Sequence, residues 1–422
     1  MNGLRLSRHR WAIATLLSLS LVLFFSFISP LFPATRTQTE VFNQVWETVQ
    51  DNFYDPKMNG VDWKSLRKSY EPQVTAAKSK AEFAAVVNQM LAELKTSHTY
   101  YYTPEEPAYY QVLGIFVPRS SQLQKSVQQF LPKGKIEYSG IGIVTKEIKG
   151  KTFVSAIFDG SPAAQAGLQV GDQILSADDR PFHPIQSFAE KAGQPINLRI
   201  QRTPSANSQQ DIKVTPKMLD ATTMFLDAQK ASTRIMQRNG KRLGYVHIWS
   251  YAGDQYQQQL EEDLIYGRLN NADGLILDLR DGWGGAPLTA LNIFSKERDL
   301  SITSISRDGK RYVNYAQWNK PVVMIVNEGS RSAKEILAYA FQQYKIGPVI
   351  GTKTAGYVVA GRPFLMKDGS LLYVAVADVY VNGNERLEGK GVTPDVVVPA
   401  PIEYAQGADP QKERAIAALL AY

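Results

Sequence analysis

The groups able to carry chemistry in this sequence gather where short apolar runs give way to glycine. The run Gly274-Leu275-Ile276-Leu277 leads into Asp278-Leu279-Arg280-Asp281-Gly282-Trp283-Gly284-Gly285. A second, Val322-Val323-Met324-Ile325-Val326, leads into Asn327-Glu328-Gly329-Ser330-Arg331-Ser332-Ala333-Lys334-Glu335. Strand, tight turn and helical pattern in that order predict an α/β core with its chemistry at strand ends. Ser332 stands at such a junction, where the commoner role of a serine is to cap the helix. Cysteine is absent, which removes thiolate nucleophiles, disulfides and sulfur-ligated metals together. Four histidines are present: His9, His98 within Thr96-Ser97-His98-Thr99, His183, and His247 in Tyr245-Val246-His247-Ile248. The apolar surroundings of His247 mark it as a core or cleft-wall residue. No metal-ligand cluster or phosphate-binding loop stands out, so neither a metal nor a cofactor is expected.

The elements that must position these groups differ in texture along the chain. With 422 residues, 44% hydrophobic and 21% charged, the composition is globular and long enough for two or three cores. The net charge of +7 is not gathered into a basic block after the first ten residues, which argues against a nucleic-acid partner. Arg5, Arg8 and Arg10 precede an uncharged run from Trp11 to Ser29, broken by Pro30 and Pro33. A helix over residues 11–29 would span about 28 Å, close to the hydrocarbon thickness of a bilayer. This predicts an uncleaved membrane anchor in preference to a removed signal peptide, with the basic end cytoplasmic and the chain from Thr35 onward on the far side.

From Glu40 to Leu94 apolar residues recur at helical spacing, with one stripe on Phe42, Val45, Trp46 and Val49 and another on Phe83, Val86, Val87, Met90, Leu91 and Leu94. Asp62 reads as a helix N-cap. From Ser139 to about Lys217 the texture changes to short β-branched strands punctuated by glycine, with a polar loop over Thr203–Gln210. Within it, Ser139-Gly140-Ile141-Gly142-Ile143, Gly160-Ser161-Pro162-Ala163-Ala164, Gly167-Leu168 and Gly171-Asp172-Gln173-Ile174-Leu175 occur in an order that resembles a PDZ domain. That resemblance implies a turn at Gly140, Ile141, Gly142 and Ile143 whose backbone N–H groups meet a terminal carboxylate, beside a strand edge that pairs with an extended peptide.

The two glycine-led motifs of the α/β region resemble those of the carboxyl-terminal processing and tricorn-core peptidases. The likeness extends from Phe42 through Val398. It implies a nucleophile at Ser332, exposed beside the helix dipole, with oxyanion donors on the N–H of Ala333 and of Gly284 or Gly285. Many relatives carry a lysine base in a Thr-Phe-Gly-Lys-Gly motif. Here the matching run is Thr354-Ala355-Gly356-Tyr357-Val358, and Gln343 replaces an aspartate that accompanies that lysine. A phenol, with an ordinary pKa of about 10, is a poor proton acceptor at neutral pH. His98 resembles the catalytic histidine of tricorn-type members, and Glu388, in Leu387-Glu388-Gly389-Lys390-Gly391, matches their catalytic glutamate. Ser97 and Glu388 would then orient His98. With a histidine of ordinary pKa, about 6.5, the rate would rise through roughly pH 6 to 8.

The implied fold is α/β, a crotonase-like ββα protease core with a helical N-terminal subdomain and an inserted β-rich PDZ domain. The implied division is an anchor or signal over 1–34, the helical subdomain over 35–110, the PDZ domain over 137–217, the protease core over 220–402 and a helical tail over 403–422. The implied activity is that of a membrane-tethered serine endopeptidase, outside the cytoplasm, acting on proteins recognised through free C-termini. The loss of lysine at Tyr357 leaves two alternatives, an inactive PDZ adaptor on the membrane and, four positions off the matching place, a lysine base such as Lys353.

Overall fold

The computed structural model describes residues 34–131, 134–287, 289–295, 301–315 and 317–422. The anchor expected over 11–29 lies outside them, and no helix among the described residues is long and apolar enough to cross a membrane.

Three helices open the described chain: α1 (Ala34–Asn52), α2 (Trp63–Ala76) and α3 (Lys80–Ala92). Asp62 caps α2 by accepting the N–H of Ser65 at 3.0 Å, as its sequence position predicts. The stripe residues Phe42, Val45, Val49, Phe83, Val87, Met90, Leu91 and Leu94 are buried, each stabilising the fold by roughly 1.5–3 kcal/mol relative to exposure. Trp46 and Trp63 stack at 6.4 Å, and each indole N–H donates to the other's carbonyl, at 3.0 and 3.2 Å. After α3 the chain turns through Lys95 and His98, both at positive φ, into the short strand β1 (Tyr100–Tyr102). Helices α4 (Pro107–Phe116) and α5 (Ser121–Val127) follow.

The middle region opens with β2 (Glu137–Gly140), followed by β3 (Ile143–Ile148), β4 (Lys151–Ile157), β5 (Gln173–Ala177), β6 (Ile196–Gln201) and β7 (Gln209–Val214). The last five form an antiparallel sheet in sequence order. Gln209 and Gln210, predicted to be loop, begin β7 because they pair with Gln201 and Ile200. A short helix α6 (Pro162–Gln165), capped by Ser161, closes over Ile141, Val154, Ile174, Leu198 and Ile200. Strand β2 pairs with β8 (Lys217–Asp220), and so returns the chain to where it entered.

The third region is the α/β core. Helix α7 (Met224–Ser232) precedes β9 (Arg234–Arg238) and β10 (Lys241–His247), and α8 (Asp254–Ile265) precedes β11 (Gly274–Asp278). An outlying hairpin, β12 (Ser301–Ile305) and β13 (Arg311–Tyr315), comes before β14 (Val322–Val326), α9 (Ala333–Gln343) and β15 (Val349–Gly351). The chain ends with β16 (Ala360–Leu365), β17 (Leu371–Ala377), β18 (Val396–Val397) and α10 (Pro410–Leu420). The main sheet has the order β18-β15-β14-β11-β10-β9, parallel except at β9. Strands β11 and β14 are buried at every residue, as expected of parallel strands covered on both faces. Phe341 of α9 lies on one face, while Ile416 and Leu419 of α10 lie with Ile276, Val323 and Ile325 on the other.

Two further contacts fix the geometry between these regions. Strands β1, β17 and β16 form a separate sheet, in which Tyr101, Leu372 and Val374 share the core of α1–α3. The helical region therefore cannot shift without carrying the turn at His98 with it. At the other end, residues 402–407 lie against the middle region. The N–H of Tyr404 donates to Gly171 O at 3.1 Å, that of Gly407 to Val170 O at 3.0 Å, and the Tyr404 hydroxyl to Gln173 Oε1 at 2.8 Å. The Tyr404 ring meets Phe153 edge-on at 5.1 Å. Gly171, at φ +94°, admits this approach because a Cβ there would collide with the backbone of Ala405.

Candidate active site

The two glycine-led motifs end adjacent parallel strands and are tied to each other. Asn327 Nδ2 donates to Asp281 Oδ1 at 3.1 Å, and its Oδ1 accepts the N–H of Asp281 at 3.1 Å and of Gly329 at 2.9 Å. Buried Ser330 donates to Leu279 O at 2.9 Å. The turn that follows holds Ser332 at φ 58°, ψ −133°, a conformation that costs a non-glycine residue about 1–3 kcal/mol. Its N–H is gripped by Tyr357 O at 2.7 Å and by the Glu335 carboxylate at 3.2 Å. Glu335, fully buried, also accepts from the Thr354 hydroxyl at 2.5 Å and from the N–H groups of Gly356 and Tyr357 at 2.7 and 2.8 Å. Burial pushes its carboxyl upward against these four donors. Glu335 thus fastens the 354–357 segment to the turn that presents Ser332.

Gly284 packs directly on Ser332: a Cβ on it would touch the Ser332 Cβ and lie 3.1 Å from Oγ. Among the described residues, no acceptor takes the N–H of Gly284, Gly285 or Ala333. Lys334, fully buried, donates from Nζ to Asp281 O at 2.8 Å and Trp249 O at 3.3 Å. Its ammonium holds the Asp281–Gly284 turn against α9, and burial lowers its pKa to about 7.

On the opposite wall, Glu388 accepts four donors: the Thr96 hydroxyl at 3.4 Å, the Ser97 N–H at 2.8 Å, the Ser97 hydroxyl at 2.9 Å and the Val358 N–H at 2.6 Å. Ser97 Oγ also stands 2.8 Å from His98 Nδ1. Because the Ser97 proton is committed to Glu388, its oxygen is free to accept from Nδ1–H. That tautomer leaves Nε2 as an acceptor. Burial, and then the charge of Arg331, lower the His98 pKa to about 4. This departs from the ordinary histidine value expected from sequence, since Glu388 reaches the ring only through Ser97 while the desolvation acts on it directly.

His98, Ser332, Gly284, Gly285 and Arg331 line one cavity of about 660 Å³, walled also by Tyr373 and Trp283. Ser97 and Glu388 stand behind His98. Tyr357, at the position of the relatives' lysine, enters the site through its backbone, while its side chain is 47% exposed. Lys353 is exposed. His247 is buried against Trp249 at 3.8 Å, with Nε2 3.0 Å from Arg280 O, the satisfied core position expected of it. His183 is exposed in the middle region.

A second cavity, about 390 Å³, is bounded by Gly140–Thr145, by Pro184 and Phe188, and by Tyr102, Trp283 and Arg331 of the core. Gly142 lies at φ +76°, and among the described residues nothing accepts the N–H of Ile141 or Gly142. Strand β3 is a sheet edge here, open to backbone pairing. Roles for Glu335, Lys334 and Arg331 were not read from the sequence, although all three stand in the motif around Ser332. Their signal was a charged residue within three positions of a candidate nucleophile, where a carboxylate or cation must find a partner to be buried.

Residues 242–398 match Peptidase family S41, residues 35–92 the tricorn protease C1 domain, and residues 153–202 a PDZ domain. The chain is 26% identical to a carboxyl-terminal-processing protease of Synechocystis over 97% of its length and 93% of that protein's. It is 27% identical to tricorn protease homolog 1 of Streptomyces coelicolor, covering 90% of this chain and 35% of that one. Among solved structures, the tricorn protease superposes with a TM-score of 0.53 at 19% identity, over 92% of this chain and 37% of that chain. Mature CPAF superposes at 0.51 and 12% identity, over 92% and 98%. These last two likenesses bear on the fold alone. Residues 242–398 thus form a peptidase family S41 core, joined to a PDZ domain and a tricorn-like helical region, and the chain is a serine peptidase. It is similar to the carboxyl-terminal-processing protease along nearly that protein's whole length, whereas it spans about a third of the tricorn homologue.

Proposed function

We propose that this peptidase cleaves proteins presented by their C-terminal tails, with Ser332 as nucleophile and His98 as base. The observation that carries this reading is the hydrogen-bonded series Glu388, Ser97, His98, which leaves Nε2 an acceptor in the cavity it shares with Ser332. The Ser332 hydroxyl proton passes to His98 Nε2 as Oγ attacks the scissile carbonyl. The resulting oxyanion accepts from the N–H groups of Ala333 and Gly284. His98 returns the proton to the leaving amine, giving an ester on Ser332. Water then gives a proton to His98 and attacks that ester, and the proton goes back to Oγ as the acid departs. Ser97 and Glu388 hold the ring and lower the energy of its cationic form. The adaptor alternative rested on the missing lysine, which a histidine base does not require.

The Gly140–Ile143 turn receives a free carboxylate and β3 pairs with the peptide, while the run 11–29 tethers the enzyme with its catalytic part outside the cytoplasm. The test is to label the full chain with a fluorophosphonate and map the adduct by mass spectrometry. Modification at Ser332, lost in Ser332→Ala together with hydrolysis of an unstructured protein with an apolar C-terminus, is the expected result. Undiminished hydrolysis by Ser332→Ala would end the assignment.

A further inference from the structure

Arg331 faces two spaces at once. It lines the cavity that holds His98 and Ser332, and also the groove bounded by the Gly140–Thr145 segment. Trp283 is its companion in both walls, with the guanidinium 4.6 Å from the centre of the indole. A guanidinium carries five N–H donors, and stacking on a ring uses none of them. Among the described residues, Arg331 forms no ion pair or hydrogen bond with a protein acceptor. The carboxylates in the groove wall are engaged elsewhere: Glu106 accepts the Thr103 N–H at 2.8 Å, and Asp281 the Asn327 amide at 3.1 Å. The backbone of Arg331 is fixed on both sides, by Ser330 bonded to Leu279 O and by Ser332 bonded to Tyr357 O. A half-buried cation with its donors free and its anchor rigid is prepared for an anion that arrives from outside.

We propose that Arg331 is a receptor for a carboxylate of the bound peptide, set in the passage between the peptide groove and the catalytic cavity. The inference rests on the peptidase reading above and adds a charge preference to it. A planar guanidinium accommodates a carboxylate through two parallel N–H···O bonds. Adjacent Cα atoms are about 3.8 Å apart and an extended chain advances about 3.3 Å per residue, so the recognised group lies within about three residues of the bond that Ser332 attacks. Its source is either an Asp or Glu side chain or the terminal carboxylate of a short tail. Amidated, neutral tails would leave the guanidinium bare and bind less well.

The test is equilibrium binding of fluorescein-labelled peptides to the full chain carrying Ser332→Ala, compared with Ser332→Ala/Arg331→Gln and Ser332→Ala/Arg331→Lys. One pair of peptides differs only in a terminal acid against a terminal amide. A second series keeps a free terminus and exchanges Asp for Asn at successive positions. Any reading of the terminus by the Gly140–Ile143 turn is common to all three proteins and cancels in the comparison. The acid-to-amide or Asp-to-Asn affinity ratio should fall roughly tenfold or more in Arg331→Gln, with Arg331→Lys between. The series that responds identifies the source of the carboxylate. Ratios unaltered by Arg331→Gln in both series would overturn the proposal. Fluorophosphonate labelling at Ser332 in the Arg331→Gln single variant reports separately on the catalytic assignment, because binding is measured without turnover.

Discussion

Glu388 holds Ser97 by two groups at once, accepting its N–H at 2.8 Å on one oxygen and its hydroxyl at 2.9 Å on the other. The second bond decides which way the Ser97 proton points, and therefore which nitrogen of His98 carries hydrogen. Replacing Ser97 by Ala should lower kcat about ten- to a hundredfold, with KM little altered, because the ring loses its orienting acceptor. Glu388→Gln should cost as much or more, since its amide can donate where the carboxylate only accepts. A KM change with kcat intact, read from steady-state kinetics, would show that these residues shape binding instead.

The pH dependence follows from the depressed pKa of His98, about 4. Three neighbours face the ring: Ser97 with Glu388 behind it, the Tyr373 ring at 5.5 Å, and the positive Arg331. Above that value the imidazole is neutral and can accept the serine proton; below it the protonated ring cannot. Hence His98 should give kcat/KM no rising limb near neutral pH, only a fall of about tenfold per unit below about pH 4, while any loss above about pH 7 would belong to the Lys334 ammonium. Arg331→Gln removes one cause of the depression and should move this limb to higher pH. A rising limb between pH 6 and 8 in the unaltered enzyme, with circular dichroism unchanged, would contradict the buried environment described for His98.

Gly284→Ala tests the oxyanion assignment sterically. The new methyl would press on the Ser332 Cβ and approach Oγ at 3.1 Å, forcing Ser332 away from the turn proposed to donate to the oxyanion. A loss of about a hundredfold or more in kcat is expected, in the range for removal of one oxyanion donor. Equal losses in kcat and kcat/KM, with the melting temperature preserved, would identify a contact made only in the transition state.

Gly142→Val addresses the peptide turn. At φ +76° any branched side chain is strained, and its Cβ would collide with Ser161, the cap of α6. Peptides ending in a free carboxylate should bind at least tenfold more weakly, while fluorophosphonate labelling of Ser332 persists. Loss of labelling would mean that the substitution disturbs the core as well.

How legible all this was differs between the two walls of the site. The α/β wall could be read locally: β14 is an apolar run throughout and β11 one that ends in Asp278, each followed within a few residues by the groups that face the cavity. The opposite wall could not be read from spacing, because Ser97 and Glu388 are 291 positions apart and meet only when β1 joins β17 beside the helical core. Only the likeness to tricorn-type peptidases suggested that pairing. The pKa of His98 departs from the ordinary histidine value for the same kind of reason. Sequence shows a carboxylate in prospect but neither the serine interposed between it and the ring nor the burial that outweighs it. Tyr357 drew attention as a missing lysine, whereas its contribution lies in a backbone carbonyl that any residue would supply.

The contact of Tyr404 with Gly171 and Phe153 holds the PDZ domain from a side remote from its two chain crossings, which β2 and β8 bind together, and from Phe158 and Asp159, which meet Trp249 of the core. A module held on one side can tilt about that side; a clasp on the opposite side opposes the tilt. The residues that form the clasp run on directly into α10, which seals one face of the catalytic sheet. A cut just before residue 403 would therefore do two things in one event, loosening the hold on the far side of the PDZ domain, which would then rest on its crossings and on Phe158 and Asp159 alone, and stripping the apolar cover from β11 and β14. On the proposed function, an enzyme that acts on the tails of other proteins depends on its own tail to brace both the module that captures and the sheet that cleaves.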